Sequence, residues 1–237
     1  MSVFSYHIVK TSYFSVWKAL LYPIKPNNNR GLIHAECMTA MTLGSHVFSL
    51  SRFLSRQLIV FAQWEDETAI DNFINNSSLG KKLSKGWHIR LKFLRQWGSF
   101  AKFEIPDENF TSNETNNPVV AVTIARMKLL QIPRFIHWGR PVEKLVHDHP
   151  ATLLSFASIR FPRTVSTFSI WTSLQEMRNM VQGHSAVPFS KRHLNAMKER
   201  DRKDFHIEFT TLRFNPLSEF GKWNGKENII SSNTVSQ

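Results

Sequence analysis

The sequence predicts an α+β protein: tandem ferredoxin-like repeats packed as a pseudo-symmetric dimeric α+β barrel. Three observations carry this. A strand ending in tryptophan, Phe61-Ala62-Gln63-Trp64, has a counterpart in Phe168-Ser169-Ile170-Trp171. After a helix-length stretch, each is followed by a strand that opens aromatic, His, Ile: Trp87-His88-Ile89 and Phe205-His206-Ile207. Each half also has an earlier Phe-x-x-Trp, Phe14 to Trp17 and Phe135 to Trp138. A pattern that recurs at about half the chain length means two copies of one small domain.

Each copy reads strand, short helix, strand, strand, long helix, strand. In the first, the strands are expected at residues 4–10, 32–42, 57–64 and 88–95, with a helix whose apolar face carries Ala69, Ile70, Phe73 and Ile74. In the second, residues 119–126 alternate, with Val120, Val122 and Ile124 on one face. Residues 153–159 and 165–171 then form a hairpin-like pair around a turn containing Pro162. Ser173-Leu174-Gln175-Glu176 has the form of a capping box, and Leu174, Met177, Met180 and Val181 fall on one helical face. Residues 206–212 close the copy, with Ile207 and Phe209 opposite His206 and Glu208. The units are therefore placed at 1–104 and 118–223, joined by a polar linker over 105–117 and followed by a loose tail over 224–237. Helices cover one face of such a sheet and leave the other bare. Two bare faces pack on each other, and an enclosed apolar space between them is expected to take a hydrophobic ligand or flat cofactor.

The bulk numbers narrow the class. A chain of 237 residues with 42% hydrophobic composition can bury real cores. No run of about 18 uncharged apolar residues is present, and the first twenty residues lack the parts of a secretory signal, so a cytoplasmic protein is expected. The lone Cys37 can form no internal disulfide or cysteine-based metal cluster. The net charge of +12 attracts nucleic acid and anionic membrane surfaces alike.

In the second half the residues resemble a known family. Thr167 to Trp171, then Met177, then Gly183-His184, then the basic and aromatic approach to the last strand, and finally Gly221-Lys222-Trp223-Asn224-Gly225-Lys226, resemble the spheroidene monooxygenases, the acyclic carotenoid 2-oxygenases. The resemblance is best over 132–230. Over 1–117 only the repeat plan supports it. Lys203 to Glu208 departs from a more acidic, arginine-containing version, and the loop Phe161-Pro162-Arg163-Thr164 is shortened, which bears on substrate more than on fold. The resemblance implies oxygen insertion near one end of a long polyene, with haem as the oxygen-activating cofactor, since no side chain activates dioxygen.

His184 is the candidate iron ligand and catalytic residue, because the repeat breaks there: its counterpart lies near Ser77, so only one copy has the imidazole. The competing reading is that His184 closes a helix broken near Gly183 and Pro188. Arg160, Arg163 and Arg192 lie near it in sequence and are candidates for the haem propionates. Trp138, Phe168, Trp171, Met177 and Phe189 are the candidate lining of a substrate pocket. His88 and His206 recur in register and suggest a structural role; His147-Asp148-His149 suits loop service better than metal binding. A carotenoid-like substrate would come from a membrane, so peripheral contact with the anionic inner face is expected; the electron donor is not specified.

Two other classes compete. A basic ferredoxin-like sheet also describes an RNA-recognition module, but the third strands QLIVFAQW and VSTFSIW lack its Lys/Arg-Gly-aromatic core, so no nucleic-acid partner is expected. The other is a non-catalytic barrel that binds an apolar ligand or assembles with its own kind, since no paired carboxylates, nucleophile elbow or phosphate loop is present.

Overall fold

The computed structural model describes residues 2–41, 56–100, 103 and 116–230. Eight antiparallel strands close into a barrel: β1 (Val3–Lys10), β2 (Leu32–Met41), β3 (Gln57–Trp64), β4 (Trp87–Ser99), β5 (Val119–Met127), β6 (Thr152–Arg160), β7 (Thr164–Trp171) and β8 (His206–Phe220). Their order around the barrel is β1-β3-β2-β6-β7-β5-β8-β4. The first four strands and the last four each form one ferredoxin-like sheet, and the sheets join at two seams. At one, Thr39 of β2 pairs with Ile159 of β6. At the other, β4 and β8 pair from His88 and Phe220 to Ser99 and Phe209. The seams run β4 and β8 well past their expected ends, because each must span its own sheet and then the neighbouring one.

Six α-helices lie outside the barrel among the described residues: α1 (Tyr13–Leu21), α2 (Glu67–Asn76), α3 (Gly80–Leu83), α4 (Ile132–Asp148), α5 (Leu174–Gln182) and α6 (Arg192–Arg202). Local chemistry starts three of them. The Ser12 and Ser173 hydroxyls and the Asp66 carboxylate accept the backbone N–H groups of Ser15, Glu176 and Ala69, satisfying donors that the first helical turn leaves open. In the second unit the expected lengths are reversed. Its first helix is the 17-residue α4, and the second position is split into α5 and α6. The linker expected at 105–117 falls almost wholly outside the described residues.

Alternation along the strands sends one set of side chains into the barrel and the other outward. The space expected to hold a ligand is occupied by the chain itself. Phe4, Tyr6, Phe61, Trp87, Phe93, Phe156, Phe168 and Phe214 are buried together in it. Tyr6 and Phe168, one from each unit, lie with ring centroids 4.0 Å apart. An eight-stranded barrel is just wide enough for side chains to fill, and rings this large fill it. The tail also departs from expectation. Ile229 is buried against this core, as is Trp223 just ahead of the tail, and the backbone N–H groups of Ile229 and Ile230 donate to the Glu219 carboxylate. The inner faces, with the third-strand aromatics Phe61 and Phe168, are therefore closed to nucleic-acid bases.

Candidate functional site

The structure scatters the residues singled out from the sequence. His184 is exposed. It follows Gly183, whose φ is +74°, and its backbone N–H donates to the Asn179 carbonyl at 2.8 Å while the Gly183 N–H reaches Met180. That pair of bonds is the Schellman end of a helix, so the break in the repeat at 183–184 has a helix-capping cause. Arg160 forms an ion pair with the buried Glu36 at 2.7 Å, at the mouth of the barrel, where His34 also meets Glu36. Arg163 sits in the turn between β6 and β7, where its carbonyl accepts the Met127 N–H. The Arg192 guanidinium lies over the exposed Phe189 ring. Phe168 is inside the barrel, Trp171 packs under α5 in one cluster with Met177 of that helix, and Trp138 belongs to a separate cluster with Phe135 and Phe205. These side chains share no common cavity. His147 pairs with Asp148 at the surface, whereas His149 is buried with its Nε2 at 3.1 Å from the Ser185 hydroxyl, so the two imidazoles serve different places.

A different site emerges from comparing the outer faces of the two sheets. In the first unit, Leu58, Val60, Ala62, Trp64 and Cys37 are sealed beneath Val16, Ala19, Ile70 and Phe73. In the second unit the corresponding layer is split. One apolar cluster gathers Val119, Leu145, Trp171, Leu174 and Met177; another gathers Ala125, Met127, Phe135, Trp138 and Phe209. Between them the sheet presents two transverse rows of small or polar residues. Strand register places Ala157, Thr167, Thr123, Thr211 and Trp97 in one row, and Ser155, Ser169, Ala121, Arg213 and Arg95 in the next. Thr167 is exposed although it stands in the middle of β7, with a strand on either side. A mid-sheet side chain facing a helical layer is exposed only where that layer leaves a slot. At about 4.8 Å per strand, a row of five residues spans roughly 19 Å.

The slot is cationic. Arg95, Arg213 and, from α5, Arg178 gather there, with Arg95 and Arg213 both over the Trp97 ring. Burial, followed by the charges of Arg178 and Arg95, pushes the Arg213 guanidinium down to about 10, and its buried Nε has no hydrogen-bond partner among the described residues. Among the described residues no carboxylate pairs with these three cations, which makes their gathering costly, and an anion in the slot would relieve that cost.

Three imidazoles border this region: His149 against Trp171, His206 against Phe209 with its Nδ1 on the Asp204 carboxylate, and His193, which stands between the two helices of the split layer. His193 opens α6, and its Nδ1 lies 3.1 Å from the Val181 carbonyl at the end of α5. A carbonyl only accepts, so Nδ1 carries the proton and the Nε2 lone pair is left without a hydrogen bond among the described residues. Burial lowers the His193 pKa, which keeps the ring neutral. His193, Met197 and Arg200 fall at i, i+4 and i+7 on one face of α6. That face is turned to the sheet, because the Arg200 guanidinium lies 5.2 Å above the ring of Phe209 on β8. At the Phe209 end, outside the arginine cluster, a groove of about 490 Å³ lined by Gly98, Ser99, Arg200, Asp201, Asp204 and Glu208 opens to solvent. The sequence carries a trace of this site in the i, i+4, i+7 spacing from His193 to Arg200, but nothing in the repeat pattern marks it.

No family model matches the chain. Over 178 residues it is 24% identical to the spheroidene monooxygenase of Cereibacter sphaeroides, a match covering 72% of this chain and 52% of that protein. The chain thus spans about half the length of the curated relative it matches. Among solved structures, aldoxime dehydratase OxdRE in complex with butyraldoxime superposes with a TM-score of 0.56 at 8% identity, covering 96% of this chain and 85% of that one. A second aldoxime dehydratase structure gives 0.46 at 12% identity, covering 93% and 82%. In sequence the chain is similar to a monooxygenase; in fold, to a dehydratase. At such identities the structural likeness is one of fold. It agrees with the α+β barrel that the repeat predicts.

Proposed function

We propose that the chain is a monooxygenase-like oxidoreductase that holds haem in the slot of its second unit and oxidises an acyclic carotenoid or similar apolar polyene. The observation that carries the haem reading is His193, a neutral imidazole whose Nδ1–H is fixed on a backbone carbonyl and whose Nε2 is open. Iron-ligating histidines are held in this way, because the second-shell bond sets both tautomer and ring orientation. The residues present fit a flat anionic group. The floor of Ala121, Thr123 and Thr167 carries no large side chain, and Arg95, Arg178 and Arg213 would offset the propionates. Bound haem supplies the oxygen activation that side chains lack. His193 would hold the iron, the row of Thr123, Thr167 and Thr211 would set the floor on the sheet, and the two apolar clusters would keep water from either side. The substrate class rests on the likeness to spheroidene monooxygenase.

Haem titration followed in the Soret region tests the assignment. Wild-type protein is expected to bind one equivalent with a sharp Soret band, His193→Ala to bind about 100-fold more weakly with a shifted band, and His184→Ala to match wild type. An unchanged spectrum and affinity in His193→Ala would move the ligand elsewhere. Supplying an acyclic carotenoid and measuring product mass tests the reaction, for which a gain of one oxygen is the expected result and no gain refutes it.

A further inference from the structure

Helix α1 has two apolar faces, and only one of them is covered among the described residues. Ser15, Val16 and Ala19 pack against the first sheet. On the other side Tyr13, Phe14, Trp17 and Leu21, continued by Tyr22, stand in solvent, with Phe14 78%, Trp17 58% and Tyr22 76% exposed. At 100° per residue, positions 13, 17, 21, 14 and 18 fall within an arc of about 140°, so this is a continuous stripe and not scattered exposure. Its composition of tyrosine, tryptophan, phenylalanine and leucine beside lysine is that of a helix lying in a membrane interface.

Basic side chains border the stripe. Up to residue 64 the described cations are Lys10, Lys18, Lys25, Arg30 and Arg56 and the described carboxylate is Glu36, ahead of the acidic residues Glu65, Asp66, Glu67 and Asp71 that lead into α2. Glu36 is buried inside the barrel on Arg160 and His34, so it screens none of these cations. Lys18 sits within the stripe, the Arg56 guanidinium lies over the Tyr13 ring, and Lys82 donates to the Ser15 hydroxyl, bringing the lysines of α3 beside the start of α1. We infer that α1 and its basic border dock the protein on an anionic phospholipid surface. The rings would enter the headgroup region and the cations would pair with lipid phosphates. A second copy of the chain fits this face poorly, because an isologous contact would set each basic border against its twin.

Vesicle co-sedimentation of the full chain tests this. Binding is expected to phosphatidylcholine–phosphatidylglycerol vesicles and not to phosphatidylcholine alone, and to weaken with added salt. The double variant Phe14→Ser, Trp17→Ser should lose about tenfold in partitioning, and Lys18→Glu about 30-fold, with unfolding midpoints unchanged because the three side chains are exposed. Equal binding to neutral and anionic vesicles, or undiminished binding of both variants, overturns the inference. So does a concentration-dependent dimer, abolished by the double variant, in a protein that ignores vesicles. Neither result depends on haem, so failure here leaves the site of the second unit untouched.

Discussion

Phe61→Ala is expected to destabilise the protein by about 3–5 kcal/mol. The ring is completely buried in the barrel, where its neighbours are Phe4 at 5.7 Å, Phe103 at 5.4 Å and Phe214 at 6.0 Å between centroids. Phe214 belongs to the second unit and Phe4 to the first, so truncation removes contacts on both sides of the shared core. The strands are locked by their seams and cannot collapse onto the gap, which adds a cavity term to the lost transfer energy. Denaturant unfolding of Phe61→Ala beside Phe14→Ala makes the comparison internal, because Phe14 is exposed on α1 and its truncation should stay within about 0.5 kcal/mol of wild type. A loss below about 1 kcal/mol at Phe61 would mean that the barrel interior is a yielding chamber and not a common core.

The packed interior shows where sequence reasoning reaches its limit. Strand patterning is a local signal: residues 57–64 read as a strand from the short apolar run Leu58 to Ala62, and 165–171 from Phe168 and Ile170 alternating with Thr167 and Ser169. The repeat supplied the pairing of two units; the seams that join them, with their register, were outside its reach. Whether two bare faces enclose a hollow or a solid core depends on the summed volume of side chains arriving from eight strands, and no local window holds that sum. Phe93, Phe103, Phe156 and Phe214 come from four separate segments and meet only in the closed barrel. The length of β8 was hidden for a related reason, since its second half, with Pro216 inside it, is held by the β4 seam and not by its own propensity.

The site was harder to read, because it consists of small residues and a gap. A search for chemistry-bearing side chains lands on His184, where the two copies differ, and that difference is a helix end. The informative contrast is between sheet faces: Val60 and Cys37 are sealed in the first unit, while Thr123 and Thr167 sit under an open roof in the second. Threonine is a good strand residue, so its presence in β5 and β7 carries no signal until the helices above it are seen to stand apart. His193 was equally silent. Its meaning comes from the Val181 carbonyl, which α5 and the following loop bring to it across a turn of chain.

Stability should fall as pH drops from about 6.5 to about 4, with His7 and His88 as the main cause. The two rings stack 4.9 Å apart beneath the first unit's helices, and His88 stacks in turn on Phe220. Burial, then the charge of Arg90, lowers His88 to about 4, against which Asp71 pulls only weakly because Arg90 already holds it in an ion pair. Burial also places His7 well below its ordinary value, and the neighbouring His88 and Arg90 push the same way. Both rings are therefore neutral in the folded protein while the unfolded chain protonates near 6.5. The unfolded state binds more protons throughout this window, so the stabilisation is complete above 6.5 and is lost as pH falls toward the folded pKa. His88 alone accounts for about 3 kcal/mol over the window, at a limiting slope of about 1.4 kcal/mol per pH unit. The carboxylates act lower: Glu199 is held down to about 2 by Arg202 and Arg134, so its loss falls below the histidine range. Urea unfolding at stepped pH on wild type and on His88→Phe, which keeps a ring between His7 and Phe220, separates the contributions. The variant should lose close to one proton's worth of slope between pH 6.5 and 4, and a wild-type stability that is flat across that interval would show that these imidazoles are charged or solvated in the folded chain.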